Sequence, residues 1–111
     1  MYDKMNDWLM KELRRIHYKW LPRKQCMVNA RVSRGKYICK QCGQLFGPKE
    51  IQIDHIEPVI NPQTGFVDWN TYIQRLFSPL NNYQVLCKKC HSAKSAKENA
   101  VRREVKNEIS K

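Results

Sequence analysis

Two Cys-x-x-Cys motifs constrain this chain more than any other feature of its sequence. They are CKQC, with Cys39 and Cys42, and CKKC, with Cys87 and Cys90. Each motif can present two thiolates from one tight turn, and two such turns complete a tetrahedral zinc site. A redox function is the alternative, but one motif would suffice for it. We therefore expect one structural zinc ion bound by these cysteines, with residues 43–86 as a unit inserted between the two turns.

The charge balance of the chain indicates a polyanionic partner. Lys and Arg number 21 against 10 Asp and Glu, which gives a formal net charge of +11. A balance this basic is typical of proteins that bind nucleic acid; an anionic membrane surface and an ordinary solvated surface are the alternatives. The length of 111 residues suits one domain, whose modest core a bound metal would stabilise.

Hydropathy and cysteine usage predict the compartment. No apolar run approaches membrane-spanning length, and the N-terminus lacks the apolar stretch of a signal peptide. We expect a cytoplasmic protein with no membrane partner, in which the odd count of 5 cysteines fits metal binding better than disulfides. Cys26 lies outside both motifs and is predicted to pack as a small hydrophobe.

Apolar periodicity predicts a helix at each end of the chain. The first is an N-terminal helical extension over residues 1–24, and Pro22 is expected to end it. Its basic face is either merely solvated or also touches phosphates. Its apolar stripe comprises Tyr2, Met5, Leu9, Leu13, Ile16 and Trp20. The last helix runs from Lys88 to about Ile109, with residues 98–111 as a C-terminal extension.

Strands are predicted between these helices. Residues 23–38 are basic and expected to be irregular, and the following YIC predicts a short strand. EIQIDHI, residues 50–56, alternates apolar and polar positions as a half-buried strand does. The chain is therefore predicted to be small α+β.

A loop and a short helix follow the second strand. Residues 57–67 contain Pro58, Pro62 and Gly65, which predict a loop. A helix is predicted over residues 68–78, capped by Asp68 and stopped by Pro79. Its expected core-facing residues are Trp69, Tyr72, Ile73, Leu76 and Phe77.

Asp54 and His55 are adjacent in IDHIEP, at the end of the second strand. Neighbours on a regular strand point to opposite faces, so the two could serve one site only if the strand ends or twists there. His91 follows Cys90 directly and is a fifth potential ligand beside four cysteines, which leaves it free to point elsewhere. An ordinary half-buried histidine beside a surface acid is the alternative interpretation.

The order and spacing of these motifs resemble the HNH endonucleases, in particular zinc-containing phage-type members. The resemblance spans residues 39–94. Tyr83 departs from the leucine common in that family and is expected to be harmless, and the segment 59–79 is longer than in minimal members. The matching pieces are Cys39-x-x-Cys42, Asp54-His55-Ile56-x-Pro58, Asn82-Tyr83-Gln84-Val85-Leu86-Cys87, Cys90-His91 and Lys94.

The resemblance implies a ββα-metal fold and a role for each polar residue. One HNH nuclease domain would occupy residues 1–111, with a zinc-bound core over 37–97. Asp54 and His91 would bind one catalytic divalent metal, magnesium, manganese, nickel or cobalt. His55 would be the general base. Asn82 would brace the loop that carries His55, although the adjacent Asn81 remains an alternative.

The implied activity is metal-dependent endonuclease or nickase cleavage of double-stranded DNA, which leaves 5′-phosphate and 3′-hydroxyl ends. The resemblance also suggests a phage origin, the bacterial host cytoplasm, and a targeting partner such as the phage packaging machinery. The sequence leaves the oligomeric state open. The predicted phosphate contacts are Arg31, Arg34, Lys36, Arg75, Lys88, Lys89, Lys94 and Lys97.

Two other functions fit part of the sequence. A non-catalytic, zinc-stabilised DNA-binding protein would explain the charge and the cysteines but leave Asp54, His55, Asn82 and His91 as coincidence. A protein-binding module that uses the stripe of the first helix would not exclude catalysis.

Overall fold

The chain folds as a small α+β structure with two small antiparallel sheets. The computed structural model describes residues 2–110, with side chains described over 4–108, so the stripe assignment of Tyr2 falls outside the described side chains. In chain order the elements are α1 (Tyr2–His17), α2 (Leu21–Ala30), β1 (Arg31–Ser33), β2 (Lys36–Ile38), β3 (Leu45–Phe46), β4 (Ile51–His55), α3 (Trp69–Leu76), β5 (Tyr83–Cys87) and α4 (Lys88–Ser110).

Strands β4 and β5 form the sheet that positions the polar residues. Ile51 pairs with Cys87 at one end, and His55 pairs with Tyr83 at the other. The strand predicted over residues 50–56 is thereby confirmed. Helix α4 follows β5 without a break and packs on both strands. This order of two strands and a helix is compatible with a ββα-metal fold, although a long connection carrying α3 joins the strands.

Two apolar clusters include residues of the β4–β5 sheet. Cys26, Ile51, Tyr83 and Val85 form the larger cluster, in which Cys26 is buried as a small hydrophobe, as predicted. The smaller cluster contains buried Cys39, Leu86 and Cys87. The predicted ligand cysteines are thus partly built into the core.

The expectation that residues 23–38 are irregular is wrong. Pro22 lies in the first turn of α2 and starts that helix instead of ending α1, which already stops at His17. Proline suits a helix start because its missing N–H is one that the first turn leaves unpaired. A hairpin of β1 and β2 follows, turning at Gly35 with φ +71°, and β3 completes a three-stranded sheet.

The stripe predicted on the first helix is incompletely covered. Met5 and Ile16 are 47% and 46% exposed. Trp20 lies beyond the end of α1, where its indole N–H donates to the Ser78 carbonyl at 2.7 Å. The buried residue of α1, within the part of the chain whose side chains are described, is His17. No helix within residues 2–110 combines the length and apolar character needed to cross a membrane.

Helix α3 is shorter than predicted but begins where expected. The Asp68 carboxylate accepts from the Thr71 amide at 2.7 Å, which confirms the cap, and the helix ends at Leu76. Tyr72 and Leu76 are buried, whereas Ile73 is 41% exposed, contrary to its predicted core position. Two turns of helix bury one narrow face, and Ile73 lies beside that face.

Candidate functional site

The cysteine side chains of the two motifs converge. The Sγ atoms of Cys39, Cys42, Cys87 and Cys90 all lie within 4.8 Å of one another. Zinc–sulfur bonds of about 2.3 Å place tetrahedral thiolates about 3.8 Å apart, so a small inward adjustment suffices to bind one ion. The cluster can therefore bind a metal such as zinc. Because Cys87 ends β5 and Cys90 lies in the first turn of α4, a bound ion would fix that junction to the loop after β2.

The electrostatics of the cluster favour a bound cation. Burial disfavours the Cys39 thiolate, but hydrogen bonds from the backbone N–H groups of Cys42, Cys87 and Gln41 outweigh it and lower the pKa of Cys39 to about 6. The neighbouring sulfur of Cys87, followed by burial, raises the pKa of Cys90 to about 12. Four adjacent thiols cannot all ionise without a compensating positive charge, which Zn²⁺ supplies.

A second group of polar side chains lines an open cleft of about 290 Å³ between β4, α3 and α4. Because β4 ends at His55, the adjacent Asp54 and His55 both reach this cleft. The two residues could serve one site only if the strand ended or twisted there, and β4 does end at His55. His91 reaches it from the first turn of α4, and its Nε2 lies 3.7 Å from Asp54 Oδ1.

Asp54 and His91 fit a divalent metal by their chemistry and separation. A carboxylate oxygen and an imidazole nitrogen form a mixed donor pair that manganese, cobalt or nickel accepts readily and magnesium tolerates. At 3.7 Å apart, both atoms can reach one ion. Gln84, opposite Asp54 on β5, donates its amide to Asp54 Oδ2 at 2.9 Å and fixes the carboxylate's orientation.

Lys94 ties this carboxylate to the rest of the cleft. Its ammonium lies 3.2 Å from Asp54 Oδ2, donates to the His55 carbonyl at 3.0 Å and pairs with Glu98 at 2.5 Å. Burial disfavours the charged ammonium, but the Glu98 hydrogen bond and the attraction of Asp54 outweigh it and raise the pKa of Lys94. The side chain is thus a fixed cation between β4 and α4.

The His55 ring is held by a hydrogen bond to one of its nitrogens. Its Nε2 lies 2.8 Å from the Leu76 carbonyl, and because a carbonyl can only accept, Nε2 carries the proton. The lone pair of the neutral ring is therefore on Nδ1. Burial, opposed by the Leu76 hydrogen bond and Asp54, lowers the pKa of His55 below its usual value. The ring is accordingly neutral near pH 7.

Asn82 contacts the loop that follows His55. Its Oδ1 accepts from the Glu57 amide at 2.9 Å, its backbone carbonyl accepts from the Ile56 amide at 2.8 Å, and its Nδ2 donates to Ser78 Oγ at 3.0 Å. The neighbouring Asn81 is exposed. Between the two candidates that the sequence offered, Asn82 therefore has the contacts that a bracing role requires.

The sequence interpretation missed His17. Its ring stacks on that of His55, with centroids 5.2 Å apart and planes 26° from parallel. His17 Nε2 lies 2.7 Å from the Tyr83 hydroxyl. Burial, followed by His55 and Arg23, lowers the pKa of His17 to about 4. The sequence signal that could have indicated a buried histidine was its position directly after Ile16, next to the apolar stripe of the first helix.

Tyr83, expected to be a harmless departure, also has a specific contact set. Its hydroxyl lies 2.9 Å from the Leu76 carbonyl that accepts from His55, and the Ser78 amide donates to it at 3.2 Å. Its ring centroid is 4.8 Å from that of His55. Tyr83 and His17 thus both pack against the His55 ring.

The predicted phosphate contacts are dispersed. Among them, Lys94 lines the cleft. Arg31, Arg34 and Lys36 lie in the β1–β2 hairpin, and Arg75 borders a neighbouring cavity behind α3. Lys88 and Lys89 are exposed beside the cysteine cluster, and Lys97 is exposed on α4.

Comparison with known proteins gives one informative similarity. No protein-family model matches the chain, and no solved structure matches it. A probable HNH endonuclease of Lactococcus phage SK1 is 35% identical over 63 residues, which is 57% of this chain and 58% of the relative. The chain thus spans less than two thirds of that relative's length. It is similar, over about half its own length, to a phage protein named as a probable HNH endonuclease.

Proposed function

We propose that the chain is a metal-dependent HNH-type DNA endonuclease or nickase. The observation that carries the proposal is the convergence of Asp54, His55 and His91 on one cleft, with the Asp54 and His91 donor atoms 3.7 Å apart. Similarity to a probable HNH endonuclease supports the same class. Residues from one strand, β4, and one helix, α4, meet here in the order that the motif pattern implies.

His55 is the general base of this proposal. Its Nδ1 takes a proton from the attacking water, while Nε2–H remains bound to the Leu76 carbonyl at 2.8 Å. That carbonyl stabilises the imidazolium that forms. The lowered pKa of His55 keeps the base unprotonated near neutral pH before the reaction.

Asp54 and His91 would hold the catalytic divalent metal. Such an ion supplies charge stabilisation at the phosphate and leaving oxygens when bound. Gln84 orients Asp54, so the carboxylate presents its other oxygen toward His91. Lys94, with acceptors on Asp54, His55 and Glu98, has a positioning role in this proposal instead of the phosphate contact expected for it.

Asn82 holds the loop after His55, and the zinc-bound cysteines hold the start of α4. Loop residues Ile56 and Glu57 both bond to Asn82. Cys90 and His91 are consecutive, so an ion on the cysteine cluster would fix the helix turn that presents His91. Double-stranded DNA is the proposed substrate, and the phage relative supports a phage origin and action in the host cytoplasm.

Incubation of purified protein with supercoiled plasmid tests the proposal. Parallel reactions contain EDTA, magnesium, manganese, cobalt or nickel, beside a His55→Ala variant. We expect metal-dependent nicking or linearisation that falls roughly 100- to 10,000-fold in the variant, with DNA binding retained. Wild-type cleavage by His55→Ala would remove His55 from the mechanism. DNA binding without cleavage in any metal would favour the non-catalytic alternative.

A further inference from the structure

The cleft is bordered by two arginines from the terminal helices. Arg14 of α1 and Arg102 of α4 line it together with Asp54, His55 and His91. Both arginines lie outside residues 39–94, which carry the family resemblance. Arg14 lies on the basic face of the first helix, for which phosphate contact was one of two interpretations, whereas Arg102 was not among the predicted phosphate contacts. The first helix and the C-terminal part of α4, which both lie outside the matched motifs, therefore supply cations to the same opening.

The charges that line the cleft are unevenly paired. Its carboxylates, Asp54 and Glu98, both lie against the Lys94 ammonium. Within residues 4–108, no ion pair joins Arg14 or Arg102 to an acid. Arg102 donates one N–H to the Asn99 side chain at 2.8 Å, and a guanidinium has five such donors. Both arginines are exposed, so each can meet an incoming anion.

We propose that Arg14 and Arg102 bind backbone phosphates of the DNA strand next to the phosphate that is cleaved. This inference rests on the proposed nuclease function. A guanidinium matches phosphate with two parallel hydrogen bonds, and it stays charged at every pH at which DNA remains intact. Lys94 is already paired with the carboxylates of Asp54 and Glu98. Arg14 and Arg102 are therefore the cleft cations that remain to bind the substrate.

Phosphate contacts have a distinctive dependence on salt. Each one releases counterions from DNA, so the slope of log K against log[salt] falls by about one when a contact is lost. The contact carries no base preference, so the loss is similar for duplexes of different sequence. This separates a phosphate contact from one that reads bases, and the control variants separate it from a general fall in surface charge.

The chain provides a matched control for each arginine. Arg15 follows Arg14 and is paired with Glu12 at 2.9 Å, and Arg103 follows Arg102 and is exposed. Neither control lines the cleft. Arg14→Gln and Arg15→Gln remove the same charge one position apart on α1, and Arg102→Gln and Arg103→Gln do so on α4.

The experiment measures binding of a short DNA duplex across a salt series. The 111-residue chain carries His55→Ala, and EDTA prevents cleavage. We expect Arg14→Gln and Arg102→Gln each to weaken binding roughly tenfold at low salt and to reduce the slope by about one, with much smaller changes for Arg15→Gln and Arg103→Gln. Arg14→Lys, which keeps the charge, should retain the slope.

Equal effects within both pairs would overturn the inference, as would absence of DNA binding by the parent. The result is independent of catalysis. If the cleft-facing variants lose slope while the active chain fails to cut plasmid, the phosphate contacts stand and the nuclease proposal fails. If the active chain cuts plasmid and the pairs are indistinguishable, the nuclease proposal stands and this inference alone fails.

Discussion

The cysteine cluster and the cleft are two polar centres built around the same helix turn, and they differ in almost every other respect. The cluster has four donors of one kind, of which Cys39 and Cys87 are buried. The cleft has mixed oxygen and nitrogen donors, stands open and contains a lysine beside its carboxylate. Closed sites of four cysteines are typical of structural zinc, whereas catalytic ions need open positions. Under the proposed function, Cys90 and His91, neighbours in sequence, would belong to centres with different tasks.

Loss of one cysteine ligand should have the largest effect. Cys90→Ser removes a donor from a cluster that joins the loop after β2 to the start of α4, so we expect zinc loss, loss of cooperative unfolding and loss of cleavage together. Metal analysis and thermal melting would measure this. Cys26→Ala is the control, because Cys26 is buried outside the cluster and should leave the zinc content unchanged. Parental zinc content and melting temperature in Cys90→Ser would show that Cys90 is not a required ligand of a structural zinc ion.

Asn82→Ala should affect the cleft and spare the cluster. It removes the side-chain oxygen that accepts from the Glu57 amide, so the loop after His55 becomes less fixed. We expect roughly a 100-fold lower kcat, with unchanged zinc content. Asn81→Ala is the matched control and should stay close to the parent, since Asn81 is exposed. If the two variants show equal rates, Asn82 has no bracing role.

The smallest expected effect concerns pH and stability. His17 has a pKa of about 4 in the folded chain and an ordinary value of 6.5 when unfolded. Between these values the unfolded chain binds more protons, so this residue's contribution to stability is complete above about pH 6.5 and is lost as the pH falls toward 4.

Urea denaturation at several pH values, compared between the parent and His17→Phe, isolates this contribution. The variant keeps a ring against His55 and removes the titrating group. Its free energy of unfolding should fall less steeply over this window than that of the parent. Thiol protonation acts on both chains and cancels in the difference. Parallel curves for the two proteins would show that His17 does not titrate as described.

Sequence patterns predicted the parts of the molecule whose cause is local. Alternation revealed β4, the Asp68 side chain revealed the start of α3, and the spacing of the cysteines revealed their cluster. Pro22 was ambiguous because proline both follows helices and begins them, and α2 was missed for that reason. A local signal of this kind marks the boundary of a helix, but it does not always show whether the helix begins or ends there.

Long-range contacts were beyond the reach of the pattern. His17 and Tyr83 are 66 residues apart, and the sequence around neither residue predicts their hydrogen bond. Lys94 matched a motif position, but its pairing with Asp54 depends on how α4 lies across β4. The metal-binding residue types could be named from sequence, whereas the groups that orient them became visible once the chain was folded.

The connection between β4 and β5 determines where the length of this chain can change during evolution. The chain leaves the sheet at His55 and returns at its pairing partner Tyr83, so the intervening segment can lengthen or shorten without shifting the strand register. Its final part is different, because the Leu76 carbonyl accepts from both His55 and Tyr83. Insertions should therefore be tolerated between the loop that Asn82 holds and the start of α3, and selected against in the last turn of α3.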